Sequence, residues 1–519
     1  MPHVRTRSIV LAGTQGYPID VEADPHHNDP RLTIIGLPND QAQQTTDRIR
    51  TAMFNSGIPW PNQKLTVGLF PTTIPKTGPQ LDLPIATAIL AAADVIPRDG
   101  LAERALIGEL DSDGRLRPGR GVLTAVLAAT DAGMTRVAVP AANATEAALA
   151  SDITVDAVPD LAALIRYLRG QEQPTTIRPS PAAPTDLPVN PAHVPLGRRY
   201  RLAAEIAAAG GHHLLLTGGT PTAARMLAET VAGLRPPLTG QESLEVTAIH
   251  SAAGSLPPRP TLISRPPLLA PHHTTTAAAL FGTGIGADIG ISTSLARIRP
   301  GIASQAHHGL LLLTDGPELP HGVLQGLEQP LALGHIRIPT PTITLTLPAD
   351  FQLIVTSRPC PCRVGASDCA CAPSARHRYL ARIPAQMRAH CDLRLTIPHS
   401  QSGGMPSRPN GCPQESTTVV AARVAQAREA MAARLRRTPW RRNAQLPRPI
   451  LERFWPLPTT VVRAAQRTRP DANTNDAGQA EATRILRIAW TLADLAGLDR
   501  PGIDQVDLAH ELNSVHPGS

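Results

Sequence analysis

The chain has 519 residues, 42% of them hydrophobic, and a formal net charge of +7. That length exceeds one ordinary domain and allows two or three, each with its own core. Six cysteines in such a chain exclude a disulfide-held secreted scaffold, and with no signal peptide and no long uncharged apolar run, a soluble cytoplasmic protein without a membrane partner is expected.

Taken in order, residues 1–170 alternate strand-like runs ("SIVLAG", "RLTIIGL", "KLTVGLF", "RVAVPA") with helical ones ("DQAQQTTDRIRTAMFNSG", "PIATAILAAADV", "GVLTAVLAATDAG"), an α+β or α/β pattern. Residues 171–196 are rich in proline and poor in core formers, which predicts an extended linker. From residue 197 a second region opens with the helix "RRYRLAAEIAAAGG". Its runs "HGLLLLTD" and "FQLIVTS" are continuously apolar, as strands buried on both faces are, so a parallel sheet between helices is expected over 197–400. Residues 401–519 begin with the loop "SGGMPSRPNGCP" and continue as helices ("TTVVAARVAQAREAMAARLRR", "EATRILRIAWTLADLAG", "GIDQVDLAHELNSV"), a small helical domain. The positive charge is almost all arginine, Lys64 and Lys76 being the only lysines. A polyanion partner and a plain compositional preference are both open.

The stretch "LLLTGGTPTAAR" carries the sharpest question. Leu214 to Leu216 read as a buried strand, Gly218 and Gly219 as a turn, and Thr222 to Glu229 as a helix. A phosphate-binding loop has the form G-x-x-x-x-G-K-[ST], in which amides cradle phosphate, lysine reaches the terminal phosphates and a hydroxyl holds magnesium. Gly218 fits the first position, and Gly219, Thr220, Pro221 and Thr222 fill the free ones. Ala223, Ala224 and Arg225 occupy the last three.

The neighbouring stretches decide how to read it. "VEADPHHNDPRLTIIGLPNDQAQQTTDRIRTAMF", "EIAAAGGHHLLLTG", "PPLTGQESLEVTAIHSAAG", "APHHTTTAAALFG", "AHHGLLLL", "VLQGLEQPL", "RPCPCRVGASDCAC", "ARVAQAREAMAARL" and "TRILRIAWTLADLAG" resemble, in order and nearly end to end, the ComM/YifB type of Mg-chelatase-like AAA+ ATPases. The resemblance implies a ChlI-like N-terminal domain similar to the ribosomal-S5/Lon-protease fold, a central AAA+ P-loop-type α/β module and a C-terminal helical lid. It implies ATP and Mg2+ as cofactors. It also implies a hexameric DNA motor linked to branch migration in natural transformation.

Against that family pattern this chain departs at five places. Ala224 stands for the phosphate-loop lysine, and Arg225, rotated by roughly 100° around the helix, does not replace it. Pro221 removes one amide from the cradle, and Ala223 stands at a glycine position where unusual backbone angles are expected. The acidic pair after "HHGLLLL" reads Thr314 and Asp315, and alternation along a strand would put Asp315 on the face suited to activating water, the one weak catalytic candidate. Arg358 replaces the sensor asparagine, His390 the trans-acting arginine finger, with Arg388 two residues away, and Ala480 the lid arginine. These absences predict a pseudo-ATPase that acts as a nucleotide- or DNA-binding or assembly module, as a homo-hexamer or a hetero-oligomer with an active relative. An active branch-migration motor and a decaying paralogue without a selected role are the alternatives. A protease reading fails because Gln80 and Leu123 stand where the Lon-like serine and lysine would be.

Cys360, Cys362, Cys369 and Cys371 form C-x-C-x6-C-x-C, a set that suits a structural Zn2+ and is also compatible with free thiols in a surface loop. The pairs His272, His273 and His307, His308 are expected to serve packing rather than metal. Arg434, Arg436, Arg437, Arg441 and Arg442 around Trp440 are candidate DNA contacts, with a solvated helix face as the plain alternative.

Overall fold

The computed structural model describes residues 4–26, 31–74, 76, 79–177, 197–282, 298–339, 343–362, 369–397, 415–467 and 475–513. The first region is one mixed sheet of eight strands. β1 (Val4–Ala12) turns at Gly13 into β2 (Gln15–His26), which pairs antiparallel with both β1 and β4 (Lys64–Phe70); β3 (Leu32–Ile35) lies parallel to β4. On the other side of β1 follow β5 (Arg104–Leu106), β8 (Arg136–Pro140), β9 (Thr154–Val158) and β10 (Thr175–Ile177). A small hairpin of β6 (Glu109–Leu110) and β7 (Leu116–Arg117) stands apart. Thr175–Ile177 correct the expected linker: they extend the sheet, while residues 178–196 lie outside the described residues.

Helices cover both faces. α1 (Asn39–Asn55), α2 (Asp82–Ala92) and α5 (Leu161–Leu168) build one core around Ile49, Met53, Ile89 and Val67. α3 (Val122–Asp131) and α4 (Ala144–Ala147) build another around Ile9, Val126 and Val137. All eleven residues of α2 are buried. That explains why its sequence, apart from Asp82 and Thr87, is apolar all round instead of on one stripe.

The second region enters through α6 (Arg198–Gly210), which stops at left-handed Gly211 and leads into β11 (Leu214–Gly218). α7 (Pro221–Leu234), α8 (Gly240–Ala253), β12 (Leu268–Leu269), α9 (Ala277–Phe281), α10 (Ile302–Gln305) and β13 (Leu310–Leu313) follow. Next come α11 (His321–Gly326), α12 (Glu328–Leu333), the hairpin β14 (His335–Pro339) and β15 (Thr344–Pro348), then β16 (Gln352–Ser357), α13 (Pro373–Leu380), α14 (Ala385–His390) and β17 (Leu393–Ile397). The five-stranded sheet has the order β12-β13-β16-β11-β17, and every pairing is parallel. All residues of β13 and β16 are buried, as their unbroken apolar runs require.

The C-terminal helices are α15 (Thr417–Leu435), α16 (Arg448–Phe454), α17 (Thr459–Ala465), α18 (Asn475–Leu495) and α19 (Ile503–Asn513). Their core is not separate. Val424, Met431, Ile488, Trp490 and Val506 form one cluster with Leu214, Leu216, Leu227 and Ile354 of the sheet and α7. The loop expected at 402–413 lies outside the described residues. No helix among the described residues is long and apolar enough to cross a membrane.

Candidate nucleotide site

Because the second sheet is parallel, the C-terminal ends of its strands share one edge, where open α/β sheets bind ligands. β11 ends there. Gly218 and Gly219 turn with φ of 85° and 69°, and a Cβ on Gly218 would sit 2.5 Å from the Ile397 carbonyl oxygen, so both the angle and the close approach of β17 call for glycine. Helix α7 then begins at Pro221, one residue before the expected start. Thr220 caps it by accepting the Ala223 N–H at 3.2 Å, and Pro221 takes the first helical position, where a missing N–H costs little. The early start changes two expectations. Ala223 lies in ordinary helical backbone, and Ala224 points inward, each being 2% exposed in the core under the sheet. Arg225 lies on the outer side, where Glu229 pairs with it at 2.9 Å, one turn further on. Exposed Thr222 offers a hydroxyl, and none of residues 218–224 carries a cationic side chain.

The acidic position also differs from its expectation. β13 stops at Leu313, so Thr314 and Asp315 lie in a turn, and Asp315 is left-handed with φ 52°. Strand alternation therefore does not decide where Asp315 points. Its N–H donates to Thr356 Oγ1 at 2.9 Å, and its carboxylate meets Arg358 Nε at 3.2 Å. Arg358 also reaches Glu318 at 2.5 Å, and the Tyr379 hydroxyl donates to Glu318 at 3.1 Å. Burial pushes that hydroxyl up to about 12, so it remains a donor. The residue at the sensor position thus closes onto both acids at the sheet edge. Tyr379 and Thr356 carried no local sequence signal, since their partners are 61 and 41 residues away.

His390 lies at the other edge, before β17, with its ring edge-on to His213 at 6.5 Å, and burial keeps its pKa below the usual histidine range. Arg388 is half-buried and its carbonyl accepts from Arg394 at 2.8 Å. Ala480 is exposed on α18. In the first region Leu123 is fully buried and its N–H donates to Glu146 at 3.1 Å, while Gln80 sits in the short turn before α2.

The structure brings the four expected cysteines together. Sγ separations are 3.3 Å (Cys360 to Cys362), 3.5 Å (Cys362 to Cys369) and 3.2 Å (Cys369 to Cys360), with Cys371 in the same group. These are far longer than a disulfide of about 2.05 Å. They approach the ~3.8 Å between sulfurs that a tetrahedral zinc with Zn–S of ~2.3 Å needs. The donor set fits zinc.

The histidines have partners within the protein. His307 Nδ1 accepts the Asp350 N–H at 3.0 Å, so its neutral ring carries the proton on Nε2, toward Glu245 at 3.8 Å. A metal-binding histidine uses the opposite arrangement, donating from its second nitrogen. His272 and His273 stack on each other at 4.0 Å, with His272 bonded to Thr274.

The arginine group is divided by the fold. Arg434 grips Asp494 at 2.5 Å, donates to Asn443 at 2.9 Å and lies over the Trp490 ring, and Arg442 pairs with Asp350. Trp440 packs half-buried against the core. Arg434 and Arg442 are thus engaged in ion pairs within the protein. Arg436, Arg437 and Arg441 remain exposed.

Three family models match the chain in order. The ChlI subunit of magnesium chelatase matches over residues 194–405, a second ChlI-subunit model over 21–143, and the ChlI C-terminal model over 414–513. YifB of Escherichia coli is 31% identical over 493 residues, covering 95% of this chain and 93% of YifB. The chain belongs to the ComM/YifB-type Mg-chelatase-like family. The competence protein ComM of Haemophilus influenzae is 30% identical over 499 residues, 93% of this chain and 92% of ComM. A mycobacterial relative, an uncharacterised protein of Mycobacterium tuberculosis, is 41% identical over 510 residues, 97% of each chain. The ComM/YifB family suggests ATP and Mg2+ as cofactors. In this member the edge that would receive them holds a self-capped helix and an acid already paired with Arg358. Those residues do not fit a magnesium nucleotide poised for hydrolysis.

Proposed function

We propose that this ComM/YifB-type chain is a hydrolysis-deficient AAA+ protein that works as a nucleotide- or DNA-binding and assembly module in the cytoplasm. In this reading residues 1–170 are an S5/Lon-like domain without protease chemistry, 197–400 the AAA+ module and 401–519 its helical lid. It assembles as a homo-hexamer or with an active relative. The observation that carries the reading is Arg358 closed onto Asp315 and Glu318 at the ligand edge. Phosphoryl transfer depends on cations at the phosphates and on an available magnesium ligand. Here the lysine position faces the core and the acid is neutralised.

ATP turnover by the purified chain, with and without DNA, tests this beside an Ala224→Lys/Arg225→Thr variant. Both proteins are expected at background, because position 224 points into packed side chains. DNA-stimulated turnover that Asp315→Ala abolishes would instead establish an active branch-migration-type motor. Fluorescent-nucleotide titration reads binding separately, since a helix N-terminus still attracts phosphate. The four thiols are assigned a structural Zn2+: about one zinc per chain is expected by elemental analysis, and none in Cys369→Ser/Cys371→Ser.

A further inference from the structure

The four cysteines stand between two segments that close the ligand edge. On one side Arg358 follows β16 and lies two residues before Cys360; on the other, α13 begins at Pro373, two residues after Cys371. Both segments converge on one acid, because Arg358 Nη2 and the Tyr379 hydroxyl of α13 meet the same Glu318 oxygen at 2.5 and 3.1 Å. The Arg358 guanidinium also lies 5.9 Å from the centre of the Tyr379 ring. Arg382, just past α13, approaches the other Glu318 oxygen at 4.0 Å.

α13 buries little of itself. It has eight residues, of which Tyr379 alone is buried. A helix that short is marginal by itself and depends on tertiary contacts. Tyr379 anchors its last turn, and nearer its start the Arg376 guanidinium donates to the Cys369 carbonyl at 3.1 Å. Cys369 in turn is placed by the sulfur cluster, 3.2 Å from Cys360, which is buried. Neutral thiols are weak donors and acceptors, and thiolates repel one another. Four sulfurs this close stay together when a cation binds them, and such a crosslink also closes the loop between Cys362 and Cys369.

We propose that zinc on Cys360, Cys362, Cys369 and Cys371 regulates the ligand edge: it pins α13 and the segment after β16, so that Tyr379 and Arg358 stay closed on Glu318 and Asp315. This regulation rests on zinc being resident at the four thiols. Loss of the metal releases Cys369 from Cys360, frays α13 and withdraws the Tyr379 hydroxyl from Glu318. Arg358 then loses the ring beside it and the fixed chain behind it, and Asp315 and Glu318 open to solvent. Tyr379 is thus a positioning residue, acting through Glu318 and Arg358.

Hydrogen–deuterium exchange of the full chain, read by mass spectrometry, tests this with the protein zinc-loaded, stripped by a chelator, and reloaded with zinc. Elemental analysis gives the metal content of each form. The turn at 315–319 reports on the edge, because the Asp315 N–H donates to Thr356 and the Glu318 N–H to the Asp315 carbonyl. Metal loss is expected to speed exchange ~tenfold or more in 373–380 and several-fold in 315–319, with α6, β11 and β17 unchanged and zinc restoring both. Cys369→Ser/Cys371→Ser should behave as the stripped chain. Tyr379→Phe keeps the ring and loses the hydrogen bond, so it should retain zinc yet exchange several-fold faster at 315–319. A chain that neither carries nor takes up zinc would overturn both the metal assignment and this regulation. Bound zinc with 315–319 unchanged, in the stripped chain or in Tyr379→Phe, would overturn the regulation alone. So would faster exchange throughout the stripped chain, because zinc would then hold the whole fold and not this edge.

Discussion

At its C-terminal edge the parallel sheet presents Asp315, Glu318 and Arg358, with side chains 27%, 25% and 20% exposed. At the opposite edge His212 and Asp392 are sealed at 0% and 1%, joined by a 2.7 Å contact. His212 then meets Thr491 at 2.7 Å, and Asn443 links Thr491 to Asp494 and Arg434. That buried network fastens the C-terminal helices to the base of the sheet. The ligand edge, by contrast, is closed by ion pairs that water partly screens. A buried polar group stripped of its partner is costly, whereas a screened pair can be exchanged at small cost. The comparison teaches that a partly exposed edge closed by ion pairs can change residues at small cost, whereas the base is held by a buried network.

Four measurements break or sharpen this contrast. Asp392→Ala leaves His212 and Arg487 without their acid and should cost ~3–5 kcal/mol in denaturant unfolding; a loss below ~1 kcal/mol would erase the difference between the edges. His307, also at the base, is held down to about 4 by burial, by neighbouring His308 and by Arg442, with Asp350 and Glu245 acting the other way. The folded protein resists protonating it while the unfolded chain, at about 6.5, does not. Stability is thus fully present above about pH 6.5 and falls toward pH 4, by ~2 kcal/mol between pH 7 and pH 5. His307→Gln should flatten that slope. Arg358→Ala removes two partly exposed ion pairs, and ~1–2 kcal/mol is expected, clearly less than at the base. The smallest effect belongs to Arg436→Gln/Arg437→Gln/Arg441→Gln: unchanged thermal stability, with DNA affinity, measured by fluorescence anisotropy, a few-fold weaker and its salt dependence shallower.

Most elements were legible because they rest on local pattern. The runs at 64–70, 136–140, 310–313 and 352–357 are strands, and the helical periods at 39–55, 122–131 and 417–435 are helices. β2 was not, because Pro18 and Pro25 argue against a strand that pairs on both sides, as this one does with β1 and β4. β10 was hidden in a proline-rich stretch and is held by β9 alone. At the candidate site the lack of a lysine in the loop was plain in the residues. That Thr220 starts the helix early, and that Arg434 and Arg442 turn inward, was not.

By itself the sequence determined the parallel sheet, the family resemblance and the chemical identities at the ATP edge, since these depend on side-chain type and on spacings of a few residues. Only the tertiary structure decided what those residues do. Arg358 meets Asp315 across 43 positions of chain because β13 and β16 are neighbours in the sheet, and His212 meets Asp392 across 180 because β17 lies beside β11. Strand order brings such pairs together, and no local propensity encodes which distant acid will reach which cation.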